Sequence, residues 1–583
     1  MSAYRFHPRA IEQVDDHWRP LDCALARWTL VHGGSDLLAR CAARCSHAEG
    51  EGHTAVVLSP DEAAAIAGEV LVGSGERTTA FVLDGDGRFQ LWRNFQAERE
   101  TALALGARSG GDHVEMPAAI DAVAQLFGLD DPEHTAQQRE AVRRAPAHRL
   151  IVLTGGPGTG KTTTVVRMLL MMLHVAGAAR SIRVAAPTGK AAQRLVQAMN
   201  RGLRDLRART DARWDDAFAR MPKPEALTLH RLLGYDPRRN RYAHDERHPL
   251  AADIVVVDEA SMMDLAQAQS LLASIRPQAT LILVGDPDQL TSVAAGAALM
   301  DVVTALREQG SPRLVELAHV FRAERHLVSV NEAVRAGDAA AFAAAMAASP
   351  SDLAWHAIGT RKSLERALRG WADDLVALLR AARVTERHST DRAQAVLEAI
   401  AGMQLLCALR ETPFGALAAD RMIASHVRRA LQPDADAPWF PGRMLLVTRN
   451  DPAKQLFNGD VGVALRDDEG ELRVWFEVPG DDGRMTARGF APNALPDHEG
   501  AYAITIHKSQ GSEYSRVALL LPPDPDHRVI SRQLLYTGVS RAKQRLAIWG
   551  LPEVVAAALA RPVARNGGFA QRLRSAIKAE SRA

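Results

Sequence analysis

The sequence predicts an α/β fold: two strand–loop–helix units in tandem, preceded by a mainly helical N-terminal unit and interrupted by two small inserts. Three observations predict it. Short apolar runs bounded by turn residues recur between helical stretches at 150–153, 182–186, 254–257 and 281–284, the pattern of parallel strands buried on both faces. A second set at 444–447, 503–505, 517–521 and 547–549 repeats that pattern up to about residue 560. The length, 583 residues, suffices for three or four domains.

Taken in chain order, residues 1–115 form the N-terminal unit. Helical patterning runs near Leu37 and over 63–66, and the turn Asp84-Gly85-Asp86-Gly87 joins Phe81-Val82-Leu83 to Phe89-Gln90-Leu91 as a hairpin. Ser109-Gly110-Gly111-Asp112 reads as a linker. Residues 116–345 form the first α/β unit. Within it, 201–250 carry 12 Lys/Arg against 8 Asp/Glu with several aromatics and histidines, and are expected to be an insertion outside the sheet. Residues 346–583 form the second unit, with Gly turns and alternating runs over about 456–495 that suggest a small β insert. The tail from Arg561 carries six Lys/Arg and one acid and is expected to be a frayed, solvated helix.

Composition narrows the classes. Lys and Arg number 71 against 69 Asp and Glu, so a nucleic-acid partner would need a local surface, not a global charge. Four cysteines over this length argue against a disulfide framework and fit a reducing cytosol. Cys41, Cys45, His47 and His53 follow one another as C-x3-C-x-H-x5-H, which matches no common zinc spacing. The longest apolar stretch, 165–179, is broken by Arg167 and His174 and is too short to span a bilayer. Met1–Arg5 lack a signal-peptide core, so a soluble, cytoplasmic protein is expected.

The chemistry begins at residue 155. Gly155-Gly156-Pro157-Gly158-Thr159-Gly160-Lys161-Thr162 is a complete G-x4-G-K-[ST] phosphate loop, placed after a strand and before a helix that continues with Thr163. Its glycines let successive N–H groups face phosphates, and the helix N-terminus adds positive potential. Lys161 is expected on the β and γ phosphates of ATP, and Thr162 on Mg2+. A hundred residues on, the run 254–257 ends in Asp258-Glu259, so both carboxylates project at the ligand-binding edge of the sheet. Asp258 would share the Mg2+ with Thr162, and Glu259 would polarise the attacking water. Gln289 lies just past another strand, where its amide can sense the γ-phosphate. Arg541, in Tyr536-Thr537-Gly538-Val539-Ser540-Arg541 of the second unit, is the candidate arginine finger.

The set and order of these motifs resemble superfamily 1 DNA helicases, which have two RecA-like P-loop NTPase motor domains. The resemblance implies that Gln138 reads adenine and that Phe321 stacks on it while Arg322 touches the γ-phosphate. It implies single-strand DNA contacts at Pro187, Thr188, Lys190, Thr228 and His230. The run Thr505-Ile506-His507-Lys508-Ser509-Gln510-Gly511-Ser512-Glu513 would join DNA contacts at Thr505 and His507 to nucleotide contacts at Gly511 and Glu513. The variants at 258–264, 505–513 and Asn458-Gly459-Asp460-Val461-Gly462 resemble the 5′→3′ branch, and within it Arg449-Asn450-Asp451, Leu405 to Gly415 and 235–250 resemble the RecD family of exonuclease V (RecBCD) subunits.

That resemblance implies a 5′→3′ motor in a heterotrimer with RecB-like and RecC-like subunits. Such a complex unwinds double-strand DNA ends for recombinational repair of DNA damage and degrades linear DNA. It also implies a hairpin at 235–250 beside the DNA, an SH3-like β insert, and an N-terminal unit that docks a partner. The chain has no cluster of carboxylates and Lys for a metal nuclease, so nuclease activity is expected on a partner subunit. Two readings stand beside this one: a stand-alone 5′→3′ helicase, and a DNA-bound scaffold whose ATPase only switches conformation.

Overall fold

The computed structural model describes residues 18–110, 117–128, 130–292, 294–321, 324–432, 437–480 and 485–580. The chain start at 1–5, the linker residues Gly111 and Asp112, and Arg322 lie outside the described residues.

The first α/β domain is built on a six-stranded parallel sheet. Its order is Leu314–Leu317, Leu150–Gly155, Thr280–Gly285, Ile254–Val257, Ile182–Ala186 and Ala226–Thr228. Because side chains alternate faces along a strand, each run feeds two cores. Leu150, Val152, Val255, Val257, Leu281 and Leu283 pack on one side, and Ile151, Leu153, Ile254, Val256, Ile282 and Val284 on the other. Both faces are covered by helices, which is why the strands read as unbroken apolar runs. One correction falls here: Ala226–Thr228, inside the stretch expected to lie outside the sheet, is its edge strand. The run Ala-Leu-Thr is half-buried and too short to stand out from its basic surroundings.

The second α/β domain is built on a five-stranded parallel sheet in the order Leu353–His356, Ala542–Trp549, Tyr514–Leu520, Met403–Cys407 and Ala503–Thr505. Met444–Val447 is not part of it. That run pairs antiparallel with Val461–Arg466 and His498–Gly500, in a separate five-stranded sheet completed by Leu472–Pro479 and Met485–Phe490. Its four residues are all buried, so its composition matches a parallel core strand and only its partners distinguish it.

The N-terminal unit packs the helices Pro20–Val31 and Asp36–Gly50 beside a four-stranded sheet in which Phe81 pairs with Leu91 and Leu83 with Phe89. Cys41 and Cys45 are buried there among Leu38, Ile66, Phe81 and Phe89, and burial pushes the Cys41 thiol up to about 11 and that of Cys45 to about 12. The tail is not frayed. Helix Phe569–Glu580 packs against the helices Trp92–Ser109 and Ala298–Glu308, burying Phe569, Leu573, Ala576 and Ile577. Lys578 is exposed, Arg572 turns inward onto Glu98 and Asp84, and the apolar stripe closes one face of the first α/β core. Among the described residues, no helix is long and apolar enough to cross a membrane.

Candidate functional site

Strand Leu150–Gly155 turns through the glycine loop into helix Lys161–Ala176. Gly158 and Gly160 hold φ of +77° and +82°, in the left-handed region. A side chain at Gly160 would also put its Cβ 2.6 Å from Nε2 of Gln138. The loop is cross-braced: Thr159 Oγ1 donates to the Gly156 carbonyl at 2.8 Å, and Gln138 Nε2 donates to the Thr159 carbonyl at 3.0 Å. Lys161 Nζ donates to the carbonyls of Gly155 and Gly156 at 2.7 and 3.0 Å, folding the ammonium over the loop. The first helical turn, with Thr162 and Thr163, directs its unpaired N–H groups the same way.

The two acids leave strand Ile254–Val257, two places along the sheet, at the same C-terminal edge. The Glu259 N–H donates to Asp258 Oδ1 at 2.9 Å. Burial and the negative charge of Glu259 push the Asp258 carboxyl above the usual range, while Lys161 pulls it down. Glu259 has φ +52°, an unfavourable conformation for a residue with a side chain. Between these strands, Thr280–Gly285 leads to Gln289, which is buried with its Nε2 on Asp286 Oδ2 at 2.9 Å. Its Oε1 is buried without a partner, an acceptor left available at the cleft.

The second domain closes the site. Arg541 is buried, with Nε donating to the Thr537 carbonyl at 2.9 Å, Nη1 to Ser512 O at 3.3 Å and Nη2 to Ser540 Oγ at 3.1 Å. Together with Gly511 and Glu513 it lines a cavity of about 380 Å³ whose opposite wall is Pro157–Thr163, Asp258, Glu259 and Gln289. Cross-domain hydrogen bonds hold the walls together. Tyr536 OH donates to Asp286 Oδ2 at 3.1 Å, the Leu290 N–H to Thr537 Oγ1 at 2.8 Å, and Gln510 Nε2 to Leu290 O at 2.9 Å. At the loop's outer side, the Phe321 N–H donates to Gly158 O at 2.9 Å, and its ring is 47% exposed, with one edge against His319. An exposed aromatic face beside Gln138 and the loop is the surface a purine ring would stack on.

Away from this cleft, Ala186 pairs with Thr228, so Pro187-Thr188 and Thr228-Leu229-His230 leave adjacent strands side by side. Thr188 and Thr228 each cap the helix that follows, on the N–H groups of Ala191 and Arg231. His230 is exposed beside Tyr235 and Tyr242, ring centroids 5.1 and 6.1 Å away, and the backbone reverses between Asp236 and Arg241. Lys190 is turned elsewhere: its Nζ donates to the Gly459 carbonyl of the small sheet at 2.9 Å, and burial lowers its pKa. Thr505 ends the edge strand of the second sheet, and burial lowers the pKa of His507 in the turn that follows, favouring a neutral ring.

Residues 138–295 match the AAA domain family, and residues 500–549 match the UvrD-like helicase C-terminal domain. RecBCD enzyme subunit RecD of Mycolicibacterium smegmatis is 38% identical, over 83% of this chain and 81% of its own. This chain belongs to the RecD family. The RecD subunit of Haemophilus influenzae is 30% identical over 76% of this chain and 73% of its own. The ATP-dependent RecD2 DNA helicase of Deinococcus radiodurans is 30% identical over 84% of this chain and 59% of its own. As a RecD-family protein, the chain is an ATP-dependent DNA helicase.

Some side chains of this RecD-family site escaped the sequence reading. Arg167 holds Gln138 from behind, with Nη1 on Gln138 Oε1 at 3.3 Å and Nη2 on Asp130 at 2.6 Å. Arg194 reaches across the cleft to the Gly511 carbonyl. Its position four residues after Lys190, on one helix face, was the available signal. Asp286 and Tyr536 form the bridge under Gln289, and nothing in their own sequence contexts marks them as partners.

Proposed function

We propose that the chain is the 5′→3′ DNA-translocating subunit of a RecBCD-type helicase–nuclease, acting in the cytoplasm on double-strand DNA ends. The observation that carries this reading is the shared cleft: Lys161, Asp258, Glu259 and Gln289 on one wall, Gly511, Glu513 and Arg541 on the other. Closing the cleft on a triphosphate would bring the second domain's guanidinium to the γ-phosphate, so chemistry and domain movement are coupled. Arg322 would join it from the first domain.

A carboxyl whose pKa rises because it is buried beside a second carboxylate suits a divalent cation, so Thr162 and Asp258 are the fitting ligands for Mg2+. Held by these two side chains, the ion would supply charge neutralisation to the triphosphate. Glu259 orients and deprotonates the water, Gln289 positions it, and Lys161 neutralises the phosphates. Gln138 and Phe321 seat the adenine. Loops at Pro187, Thr188, Thr228, His230, Thr505 and His507 hold the sugar–phosphate backbone in turn, a contact that reads no sequence. Lys190 joins them only if the small sheet releases it.

On this reading residues 1–115 dock a partner, 116–345 and 346–583 are the motors, and RecB-like and RecC-like subunits complete a heterotrimer that serves homologous recombination. The nuclease sits on a partner. The test is Lys161→Gln in the complex: ATP hydrolysis and unwinding from this subunit are abolished while copurification with two larger subunits persists. Retained 5′→3′ unwinding by the variant rejects this site as the motor, and a chain that copurifies with no partner rejects the subunit assignment.

A further inference from the structure

We propose that Arg565 is a positioning residue that transmits the setting of the second motor domain to the loop carrying Gln289. The inference rests on the functional reading above. After helix Pro552–Ala560 the chain leaves the second motor domain and crosses back to the first. Its last anchors on the second domain are on the helix Arg532–Val539. The Arg532 N–H donates to Arg561 O at 2.8 Å, and the Val563 N–H donates to Gln533 Oε1 at 2.6 Å. That same helix carries Tyr536 and Thr537 and ends beside Arg541.

Two residues after Val563, the chain is anchored on the other side. Arg565 Nη1 donates to the carbonyls of Ala294 and Gly52 at 2.7 and 3.1 Å, and its Nη2 donates to the Ser292 carbonyl. Asn566 O accepts from the Thr54 N–H at 2.9 Å, and the Asn566 N–H donates to His53 Nδ1 at 2.9 Å. The approach needs a glycine at 52, since a Cβ there would lie 2.5 Å from the guanidinium carbon of Arg565. The Gly52 carbonyl also accepts from the Gly296 N–H at 2.9 Å. The Gly52-His53 pair of the N-terminal unit, unexplained by the nucleotide site, thus meets the tail and the first motor domain at one junction.

The loop after strand Thr280–Gly285 is therefore held at both ends. Tyr536, Thr537 and Gln510 grip its start at Asp286 and Leu290, and Arg565 and Gly52 grip its end at Ser292, Ala294 and Gly296. Gln289 lies within the first grip, between Asp286 and Leu290, three residues before the Ser292 carbonyl that Arg565 holds. Only Ala564 separates the anchor on the second domain from the anchor on the first, and two residue steps span at most about 7 Å. Movement of the second domain here must swing about Ala564 or pull on the carbonyls that Arg565 holds. The second route acts on the backbone that follows Gln289.

The experiment measures single-strand-DNA-stimulated ATP hydrolysis of the full-length chain. Arg565→Ala lowers the stimulated kcat about tenfold and leaves the KM for ATP within about twofold, the pattern of a lost transition-state alignment. Arg565→Lys, which keeps a donor for the carbonyls, recovers most of it. A Gly-Gly insertion between Ala564 and Arg565 removes no contact but slackens the strap, and it lowers DNA stimulation about fivefold on the same logic. Stimulated kcat within twofold of the native value in both Arg565→Ala and the insertion overturns the proposal. Should Arg565→Ala fail to fold, the insertion alone decides by the same limit. If the native chain shows no DNA-stimulated hydrolysis that Lys161→Gln abolishes, the functional reading falls, and the coupling with it.

Discussion

Three acceptors from its own domain, two carbonyls and a hydroxyl, hold the Arg541 guanidinium at the cleft. On the proposed function, a guanidinium oriented in this way would need little reorganisation to act as an arginine finger. Arg541→Ala is expected to retain ATP binding and to cut turnover by about 10³; a loss below threefold in steady-state hydrolysis removes Arg541 from that role. A second residue-scale expectation concerns Asp301, whose carboxyl is pushed up to about 7 by burial and by Glu98, with Arg565 opposing. Its folded pKa lies above the ordinary value, so its ionisation costs stability increasingly as pH rises through that window. Asp301→Asn should therefore raise the melting temperature more at pH 8 than at pH 5, and an equal or reversed effect rejects the burial account. At this scale Lys161, Asp258 and Glu259 were legible because their backbone context is local. Arg194 and Tyr536 were not, since their partners lie hundreds of residues away.

The C-terminal helix shows how an element can be misread. Its basic residues suggested solvent, yet Phe569, Leu573, Ala576 and Ile577 recur at i, i+4, i+7 and i+8, a helical stripe visible in the sequence. What the sequence could not supply was the surface that receives it, formed by helices Trp92–Ser109 and Ala298–Glu308. The fully buried Phe569 makes a direct test: Phe569→Ala should cost about 3–5 kcal/mol of stability in the unit that unfolds with the first motor domain. Denaturant unfolding followed by a probe in that domain reads the loss, and a cost under about 1 kcal/mol, the scale of an exposed site, shows the helix to be undocked in solution. Met444–Val447 is the converse case. Its burial was evident, but sheet membership depends on strand partners, and those are set by the hairpin-like return at Val461–Arg466.

For the whole molecule, the two parallel sheets bring together a lysine and an arginine separated by 380 residues in sequence (541 minus 161), on opposite walls of one cavity. Cross-domain hydrogen bonds from Gln510, Tyr536 and Arg194 make that cavity sensitive to domain setting, as a motor requires. A translocation assay on single-stranded DNA carrying a streptavidin block separates a motor from a scaffold. ATP-dependent displacement of the block is expected, and hydrolysis without displacement leaves only a switch.

The sequence alone determined the α/β class, the phosphate loop, the paired acids and the arginine motif, because each depends on residues a few positions apart whose spacing dictates local backbone form. Tertiary structure decided which strands share a sheet, where the tail helix docks, that Lys190 faces the small sheet, and that Gly52 and Arg565 meet beside the Gln289 loop. Those outcomes depend on pairing and close approach between distant segments, and no local spacing encodes the partner.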